Sequence, residues 1–522
     1  MTARPDAVVI GSGPNGLVAA ITLARAGRSV LVLEANPALG GSVATAQLTL
    51  PGFHHDVFSA VHPAAAASPV FAELPLARHG LNWIQPELAM AHPLPGGKAA
   101  VLSQDIGRTV ASLDALADGD GRRWQALVDP YLRNFDAVRA TMLAGFPPIG
   151  GPAKLALGLK YDGMLDFVRL LLMSAKTLAG ERFRGAGEAW LYGSALHGDA
   201  PIDAAGSAIS GMYLNLLGHT VGWPSPEGGA GRLTDALVGH LRELGGETRA
   251  AVRAVRVLSR SGRVTGVELE GGDRLETKIV IAATTPHGLL ALAGDALGDR
   301  YTRMATRFRY GPHTFKVDWA LDGQIPWESA DARVAGTVHV GGPPAEMRRA
   351  LAEVAAGRLP EHPFLLSGQQ TIADPTRAPA GKHTAWAYTH TPAGIEWSSE
   401  RESFADAVER QIERFAPGFR DLILARHVMA PPDLERRNAN LVGGDVGGGS
   451  YDLDQLIFRP LPSLNPYSTP IRGLYIGSAS TFPGGAVHGV PGHAAASAAL
   501  RAARMPALPR ALARRRLTTG AA

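Results

Sequence analysis

Cysteine is absent from this chain of 522 residues. Its absence excludes a disulfide framework, a thiolate zinc site and an iron–sulfur cluster. It also excludes a redox-active Cys-x-x-Cys pair and the covalent attachment of a cofactor through cysteine. The 17 histidines show no metal-ligand spacing with carboxylate partners, so the sequence predicts no metal site.

Long apolar runs and a strong charge of one sign are also missing. No uncharged apolar run reaches roughly 18 residues and no leader precedes the first apolar stretch, so we expect a cytoplasmic protein without a spanning helix. The formal net charge is only +4, and no basic patch interleaved with aromatic residues is present, so we predict no nucleic-acid partner. The arginine-rich tail, residues 506–522, is predicted to be flexible, and it leaves open a peripheral contact with an anionic membrane surface.

A glycine-rich turn lies between two aliphatic runs near the start of the chain. Residues 7–10 are apolar and β-branched, which is typical of a buried parallel strand. The turn 11–16 follows at once, then the apolar helix 17–26, and then a strand, 29–33, that ends at Glu34. This order of strand, glycine turn, helix, strand and acid indicates a βαβ unit that binds a dinucleotide, the alternative being a βαβ unit without a ligand.

The positions in this unit have separate physical tasks. Gly11 permits the tight turn, Gly13 lets the backbone approach a pyrophosphate, and Gly16 lets the helix pack closely on the sheet. The free N–H groups and the positive dipole end of the helix face the phosphates. Glu34 can accept hydrogen bonds from both ribose hydroxyls, and its charge disfavours a 2′-phosphate, so NADP is not expected here.

The residues after Glu34 bear on which dinucleotide binds. The stretch that ends in Gly40 and Gly41 resembles the second glycine pair of FAD proteins of the glutathione-reductase type. In those proteins the pair approaches the ribose and pyrophosphate of FAD, and many relatives carry an arginine directly after it, where this chain has Ser42. We therefore predict FAD, held noncovalently.

Two excursions of the chain follow the βαβ unit. Residues 70–222 read as mainly helical, and the apolar stretch 163–178 is expected to be a core helix, with a lid or a membrane-surface helix as alternatives. Residues 314–321 and 383–390 alternate in period two, which predicts strands of a mixed sheet with one face toward a pocket. We expect the aromatic side chains of these strands to lie in the core more often than at a ligand.

A second strand, glycine-rich loop and helix occupy residues 473–503. In an FAD protein the natural target of this helix end is the pyrimidine edge of the flavin. There the dipole would stabilise the negative charge of the reduced flavin and so favour an oxidation.

Five stretches together resemble the phytoene desaturase (CrtI-type) branch of the FAD-dependent amine oxidase-like superfamily, and within it the group of pyridine nucleotide-disulfide oxidoreductase domain-containing protein 2. They are IGSGPNGLVAA from Ile10, LEANPALGGSVAT from Leu33, DPTRAPAGKH from Asp374, SYDLDQLIFRPLP from Ser450 and GLYIGSASTFPGGAVHGVPGHAAA from Gly473. The resemblance implies an α/β fold. A discontinuous Rossmann-like FAD-binding domain would comprise residues 1–70, 225–290 and 440–505, and an inserted α+β substrate-binding domain would comprise 71–224 and 291–439.

The resemblance also implies the cofactor contacts and the reaction. The predicted FAD contacts are Gly11, Gly13, Pro14, Asn15, Gly16, Glu34, Ala35, Gly40, Gly41, Ser42, Val252, Gly477, Ser478, Gly489, Val490 and Pro491. In the desaturase relatives a hydride leaves an apolar polyene for flavin N5, and oxygen or another acceptor reoxidises the flavin. We therefore expect an FAD-dependent oxidoreductase that desaturates C–C bonds of an apolar, polyene or isoprenoid-like small molecule.

Histidines supply the candidate catalytic side chains. His488, in the loop expected at the flavin edge, is predicted to act as an acid or base, and the alternative is a hydrogen-bonded loop histidine. The run from His54 to Asp56, together with His62 and His390, gives weaker candidates.

Three other functions stay open, as does the oligomeric state. An amine oxidase is one, although those relatives usually have a Gly-Glu pair in the last flavin loop, where Gly492 is here followed by His493. An isomerase that uses reduced flavin without net electron turnover is the second. The third is an FAD-binding interaction protein with little turnover.

Overall fold

The structure is a computed structural model that describes residues 4–504. Its strands, in chain order, are β1 (Ala7–Ile10), β2 (Val30–Leu33), β3 (Thr45–Ala46), β4 (His55–Asp56), β5 (Trp83–Ile84), β6 (Leu88–Pro93), β7 (Ala99–Leu102), β8 (Ser225–Pro226), β9 (Glu247–Arg249), β10 (Ala254–Arg260), β11 (Arg263–Leu269), β12 (Arg274–Glu276), β13 (Ile279–Ala282), β14 (His313–Leu321), β15 (Ala335–Val340), β16 (Leu365–Gly368), β17 (His383–Thr391), β18 (Ile423–Met429) and β19 (Leu474–Ile476).

Helices connect and cover these strands. The α-helices, in chain order, are α1 (Pro14–Arg25), α2 (Pro63–Ala66), α3 (Pro69–Ala72), α4 (Ile106–Asp114), α5 (Asp120–Arg133), α6 (Phe135–Met142), α7 (Gly150–Leu172), α8 (Ala175–Arg182), α9 (Gly187–Leu196), α10 (Ser207–Thr220), α11 (Gly231–Glu243), α12 (Pro286–Ala293), α13 (Asp299–Thr306), α14 (Ala330–Val334), α15 (Pro344–Ala355), α16 (Trp397–Glu413), α17 (Pro431–Arg437), α18 (Leu453–Leu456) and α19 (Val490–Arg504).

A five-stranded parallel sheet carries the predicted dinucleotide unit, in the order β19-β13-β1-β2-β9. Val8 of β1 pairs with Leu31 on one side and Val280 on the other. The strands are short apolar runs because both faces of the sheet are covered. One face packs on α1, α11 and α19, and the other packs on α12 and on the three-stranded sheet β10-β11-β12. The predicted Rossmann-like arrangement is therefore present.

A seven-stranded mixed sheet forms the second layer system, in the order β18-β14-β17-β16-β15-β6-β7. Both period-two segments lie in it as neighbours, β14 and β17, paired antiparallel along their full length. The pair β6 and β7 lies in the region that the sequence reads as mainly helical, and that expectation is wrong for these strands. Apolar runs as short as these cannot be distinguished from buried helix by periodicity.

The apolar stretch expected to be a core helix occupies the end of α7 and the start of α8. Its buried side, with Phe167 and Leu170, packs into the core that the helical layer shares with β6 and β7. Its exposed side carries Leu165, Val168 and Leu172 together with the charged Asp166 and Arg169, and α7 is kinked at Lys160, before this stretch. The helix thus belongs to the core on one side only. Within residues 4–504 no helix combines the length and hydropathy that a bilayer crossing requires.

The strands of the two sheets come from the segments predicted for the two domains. The five-stranded sheet draws on residues 7–33, 247–249, 279–282 and 474–476, and the seven-stranded sheet draws on residues 88–102 and 313–429. The arginine-rich tail, 506–522, lies outside the described residues.

Candidate functional site

One cavity of about 890 Å³ extends from the glycine turn of the βαβ unit to the face of the seven-stranded sheet. Predicted cofactor contacts form one part of its wall: Gly11, Gly13, Pro14, Asn15, Gly16, Glu34, Ala35, Gly41, Ser42, Val252 and Ser478. The other part is formed by Trp386 and Tyr388 of β17, by Thr314 and Lys316 of β14, and by the segment 197–199 after α9. The dinucleotide turn and the inserted sheet therefore open onto one shared space.

The glycine turn has the close packing that its sequence predicts. A Cβ atom added to Gly16 would collide with the carbonyl oxygen of Gly11, whereas a Cβ on Gly13 would meet nothing within 4 Å. Gly11 itself has a φ of +98°, which favours glycine. Gly16 is thus required by packing inside the protein, while the space beside Gly13 belongs to the cavity.

Glu34 is a buried carboxylate held at the end of β2. Its Oε2 accepts hydrogen bonds from the N–H of Ser12 at 3.0 Å and from the Ser12 hydroxyl at 2.7 Å, and its Oε1 accepts one from the N–H of Asn36 at 2.9 Å. A carboxylate has about four lone-pair sites, so with three in use it can still accept one bond from a ribose hydroxyl, not the two that the sequence predicted. Ser12 was not singled out in the sequence, although its position inside the turn was a signal that could have identified it.

The second glycine pair and Val252 complete this end of the cavity. The N–H of Val252 donates to the carbonyl oxygen of Glu34 at 2.8 Å, which places residues 252–254 beside the acid. The Ser42 hydroxyl accepts a hydrogen bond from the amide of Asn438 at 2.8 Å. Gly40 does not line the cavity; its Cα lies against Thr234 and the carbonyl oxygen of Val43.

The C-terminal contacts divide into two groups. Ser478 lines the cavity, whereas Gly477, Gly489, Val490 and Pro491 lie behind its wall. A Cβ on Gly477 would press on Ala495 of α19. This second group therefore seats α19 against the sheet and α1, so that its N-terminus points toward the cavity region.

His488 lines the cavity, but both of its ring nitrogens face backbone groups. Its Nε2 lies 2.9 Å from the carbonyl oxygen of Gly485, and its Nδ1 accepts a hydrogen bond from the N–H of Val490 at 3.2 Å. Burial lowers the pKa of His488 to about 4. This geometry gives a neutral imidazole that braces the loop, and it gives no support to the predicted acid–base role.

The inserted sheet forms the floor of the cavity with alternate side chains of β14 and β17. Phe315, Val317 and Ala387 point to the opposite face and lie in a buried cluster with α16. Thr314 is paired with His390, Lys316 with Tyr388 and Asp318 with Trp386, so these six side chains share the cavity face. The rings of Trp386 and Tyr388 are nearly parallel, with centroids 5.9 Å apart. The sequence predicted one face toward a pocket and aromatic residues mainly in the core; Trp386 is buried and Tyr388 packs against the core, and both also line the cavity.

A buried charge network lies at the edge of this floor. The ammonium group of Lys316 contacts the carboxylate of Asp318 and donates to the carbonyl oxygen of Asp56 at 3.2 Å. The carboxylate of Asp56 pairs with the guanidinium of Arg377 at 2.9 Å, both side chains being almost fully buried. Burial raises the pKa of Asp318 to about 6, against the opposing effect of Lys316. The ion pair of Asp56 and Arg377 thus connects β4 to the motif at residues 374–383.

The other histidines of interest are also neutral or partnered. Burial lowers the pKa of His55 to about 3 and that of His62 to about 4. His62 lines the cavity with its Nε2 3.1 Å from the Ser59 hydroxyl. His390 lies on the floor with its Nε2 2.9 Å from Oδ1 of Asp199, a residue that the sequence analysis missed because its segment carries no periodic pattern.

The residues present fit FAD. The cavity beside Gly13 is open, the first-turn N–H groups of α1 face it, and a buried carboxylate stands at the end of the neighbouring strand. Asparagine side chains close the opposite wall: the amide of Asn440 donates to the carbonyl oxygen of Ala283 at 3.0 Å. These groups would hold the pyrophosphate and a ribose of the cofactor.

Metal ligands are grouped at one place in the described part of the chain, away from the cavity. His79, His240 and Glu243 bring their ligand atoms within 4.8 Å of one another. The Glu243 carboxylate already accepts a hydrogen bond from the guanidinium of Arg78 at 2.7 Å. Because a cation would have to displace this positive charge, the group does not make a strong metal site.

Comparison with known proteins finds relatives of this chain among flavin-type oxidoreductases. The model of the NAD(P)-binding Rossmann-like domain matches residues 9–74. Pyridine nucleotide-disulfide oxidoreductase domain-containing protein 2 of Rattus norvegicus is 27% identical over 95% of this chain and 93% of the rat protein. One subunit of the limonene dehydrogenase of Castellaniella defragrans is 26% identical over 92% of each chain. A phytoene desaturase of Cercospora nicotianae is 26% identical over 73% of this chain and 60% of that protein.

Solved structures show the same fold. An oxidoreductase from Methanosarcina mazei superposes with a TM-score of 0.63 and 18% identity, covering 95% of this chain and 99% of the other. The predicted resemblance and the predicted α/β fold are therefore confirmed. The chain has homologues in the group of the rat protein and among the phytoene desaturases, an oxidoreductase superfamily that binds FAD.

Proposed function

From this homology we propose that the protein is an FAD-dependent oxidoreductase that dehydrogenates a C–C bond of a mainly apolar small molecule. The observation that carries the proposal is the single cavity that joins the dinucleotide turn to the aromatic floor of the inserted sheet. Bound FAD would supply the chemistry by accepting a hydride from one carbon, and the proton lost from the neighbouring carbon would pass to solvent. The limonene dehydrogenase and phytoene desaturase among the homologues support this reaction class.

The residues of the chain contribute positioning rather than acid–base chemistry. The glycine turn and Glu34 would fix the cofactor at one end, and the stacked rings of Trp386 and Tyr388 supply apolar lining at the other. The neutral His488 holds the loop beside them. Once two reactants are held in a productive orientation, positioning alone can contribute a large share of the rate.

The experiment is one visible spectrum of the purified holoenzyme, repeated anaerobically with apolar polyenes and terpenes, amines and secondary alcohols. Bleaching of the flavin band by polyenes or terpenes alone supports the proposal. Bleaching by amines alone would replace it with an amine oxidase. If no compound bleaches the flavin, an isomerase is distinguished from an interaction protein by product analysis after chemical reduction of the flavin.

The electron acceptor and the surroundings of the protein are part of the same proposal. We expect oxygen or another acceptor to reoxidise the flavin, which oxygen consumption in the same assay measures. Exposed apolar side chains on both sides of the kink of α7 at Lys160, among them Leu157 and Leu165, support a peripheral membrane contact. Co-sedimentation with phosphatidylglycerol vesicles tests it, with Leu157→Ser and Leu165→Ser expected to reduce the bound fraction.

A further inference from the structure

Three cationic side chains are buried in the described part of the chain, and they differ in their partners. They are Lys316, Arg377 and Arg459. Lys316 contacts the carboxylate of Asp318, and Arg377 pairs with the carboxylate of Asp56. Arg459 is 0% exposed, yet among residues 4–504 it has no carboxylate partner, and its Nε and Nη1 have no hydrogen-bond partner. A buried charge without a counter-charge is costly, so this cation calls for an explanation.

Arg459 lies directly behind the wall of the cavity. It belongs to the stretch SYDLDQLIFRPLP, which carries the family resemblance and has so far been given no task. Its Nη2 donates to the carbonyl oxygens of Gly448 at 2.8 Å and Gly449 at 3.2 Å, and its Cζ lies 4.9 Å from the centre of the Tyr451 ring. Gly448 and Tyr451 both line the cavity. One layer of residues therefore separates the guanidinium from the cavity space.

This part of the wall is the glycine-rich loop before α19, where the sequence predicts the flavin. A Cβ atom on Gly484 would lie 2.7 Å from Nη1 of Arg459. The neighbours Pro483 and Gly485 line the cavity. His488 of the same loop adds no positive charge, because burial lowers its pKa to about 4. The guanidinium thus places a full positive charge behind the predicted flavin wall.

Two carboxylates lie near the same wall, but they approach it differently. Oδ1 of Asp445 accepts hydrogen bonds from the N–H groups of Gly447 at 2.7 Å and Gly448 at 3.2 Å, whereas Arg459 binds carbonyl oxygens. A Cβ atom on Gly447 would also press on Oδ2 of Asp199. The carboxylates therefore gather at the start of the segment 447–449, and the guanidinium lies at its end, beside the loop before α19.

We propose that Arg459 stabilises the negative charge of the reduced flavin through the two glycine-rich segments that separate it from the cavity, and so raises the electron affinity of the cofactor. The inference rests on the proposed function, because it concerns the flavin of the same cavity, and it adds the residue that sets the reduction potential. A flavin that accepts a hydride gains one negative charge. In a buried site that charge interacts strongly with a nearby cation, because water does not screen the pair. The N-terminal dipole of α19 acts in the same direction.

The test uses two readouts on purified holoenzyme at pH 7.5. The first is the Kd of sulfite, which binds oxidised flavin, bleaches its absorbance and leaves a negative charge on the ring. The second is the reduction potential of the flavin, measured by equilibration with a reference dye, since sulfite is itself an anion. Arg459→Met should weaken sulfite binding by about tenfold or more and lower the two-electron potential by about 30 mV, the equivalent of a tenfold change in equilibrium constant.

Two further variants separate charge from structure. Arg459→Lys keeps the charge, so its sulfite affinity should stay within about threefold of the wild type. Arg309→Met is the matched control, because Arg309 is a half-exposed cation that pairs with Asp452 and Asp454 of the same stretch. It should change neither readout. If Arg459→Met does not retain flavin, Arg459→Gln, which keeps a donor for Gly448, takes its place with the same expected results.

Several results would overturn the inference. They are unchanged sulfite affinity and potential in Arg459→Met, an equal loss in Arg459→Lys or Arg309→Met, and loss of flavin from both neutral variants, which would assign Arg459 a structural role. If Arg459→Met behaves as expected but no compound reduces the wild-type flavin, the inference stands and the proposed dehydrogenation fails. If polyenes or terpenes bleach the wild-type flavin and Arg459→Met has an unchanged potential, the dehydrogenation stands and the inference fails. A wild-type protein that binds no FAD would overturn both.

Discussion

The two walls of the cavity are built in opposite ways. The dinucleotide wall comes mainly from one continuous stretch, from β1 to Gly41, and its shape depends on backbone that only glycine allows. The floor of the inserted sheet comes from β14 and β17, whose paired residues are about 70 positions apart, and its shape depends on large side chains. The first wall pairs its single carboxylate three times within the protein. Buried polar atoms without a hydrogen-bond partner line both sides of the cavity, at Thr284 and Ser480 beside the five-stranded sheet and at Thr314 and Trp386 on the inserted sheet, so the walls differ in backbone against side-chain construction.

The largest expected effect is a loss of stability in acid, which both regions share. Burial lowers the pKa of His92 and His219 to about 4 and that of His197 to about 3 in the inserted region, and it lowers the pKa of His488 to about 4 beside the dinucleotide wall. These buried histidines bind fewer protons in the folded state than in the unfolded state. The stability that depends on keeping them neutral is therefore fully present above pH 6.5 and is lost as the pH falls toward 4. Each site loses up to about 3 kcal/mol of unfolding free energy.

Fluorescence measures this loss selectively, because all eight tryptophans lie between residues 83 and 397. An acid titration should unfold the tryptophan-containing region between pH 6.5 and 4. His197→Gln should move the midpoint to lower pH, and the exposed His362→Gln should not. A midpoint that is identical in both variants would contradict the assignment of a neutral, buried His197.

The second prediction breaks the connection between the walls. Asp56→Ala leaves the guanidinium of Arg377 buried without its carboxylate partner. Such a change costs about 3–5 kcal/mol of unfolding free energy. Urea denaturation at pH 7.5 measures it. Asp322→Ala, which removes a half-exposed pair with Lys382, is the control and should cost about 0–1 kcal/mol; equal effects from the two substitutions would contradict the structural role of Asp56.

The third prediction compares two glycines in the same turn. Gly16→Ala places a methyl group on the rigid carbonyl oxygen of Gly11, and overpacking of this kind costs about 1–3 kcal/mol. The apo-protein should therefore lose stability in thermal unfolding. The loss is expected without FAD, since the clash lies inside the protein.

Gly13→Val is the matched control. Gly13 has a φ of −61° and open space beside it, so the apo-protein should keep its melting temperature. The added side chain fills the place of the pyrophosphate, and FAD affinity should fall by tenfold or more, about 1.4 kcal/mol, in a fluorescence titration. A Gly13→Val protein that retains full flavin would show that the cofactor does not use this turn.

The contrast between the walls also explains what the sequence could predict. The order from β1 through α1 to Glu34 follows from local rules, since each glycine acts on its neighbours in the chain. The alternation in β14 and β17 predicts two strands and a face, because period two is a local property. The sequence does not show that Asp199 meets His390, because nothing local sets the contact between the end of α9 and a strand. It placed β6 and β7 in a helical region because apolar runs this short are not distinguished from buried helix by periodicity, although the two strands form a local antiparallel hairpin.

The smallest expected effect concerns His488, at the boundary between the two walls. The predicted acid–base role requires a ring nitrogen that is free to exchange a proton, but Nε2 lies beside the Gly485 carbonyl and Nδ1 accepts from Val490. His488→Gln keeps a donor for the carbonyl oxygen, so the rate of anaerobic flavin reduction at pH 7.5 should change by less than about twofold. Removal of a general acid or base would lower that rate by about 10²- to 10⁴-fold. Stopped-flow measurement of flavin reduction in the wild type and the variant, with the same substrate, distinguishes a structural role of His488 from a catalytic one. A loss of that size with normal flavin content would restore the predicted acid–base role of His488.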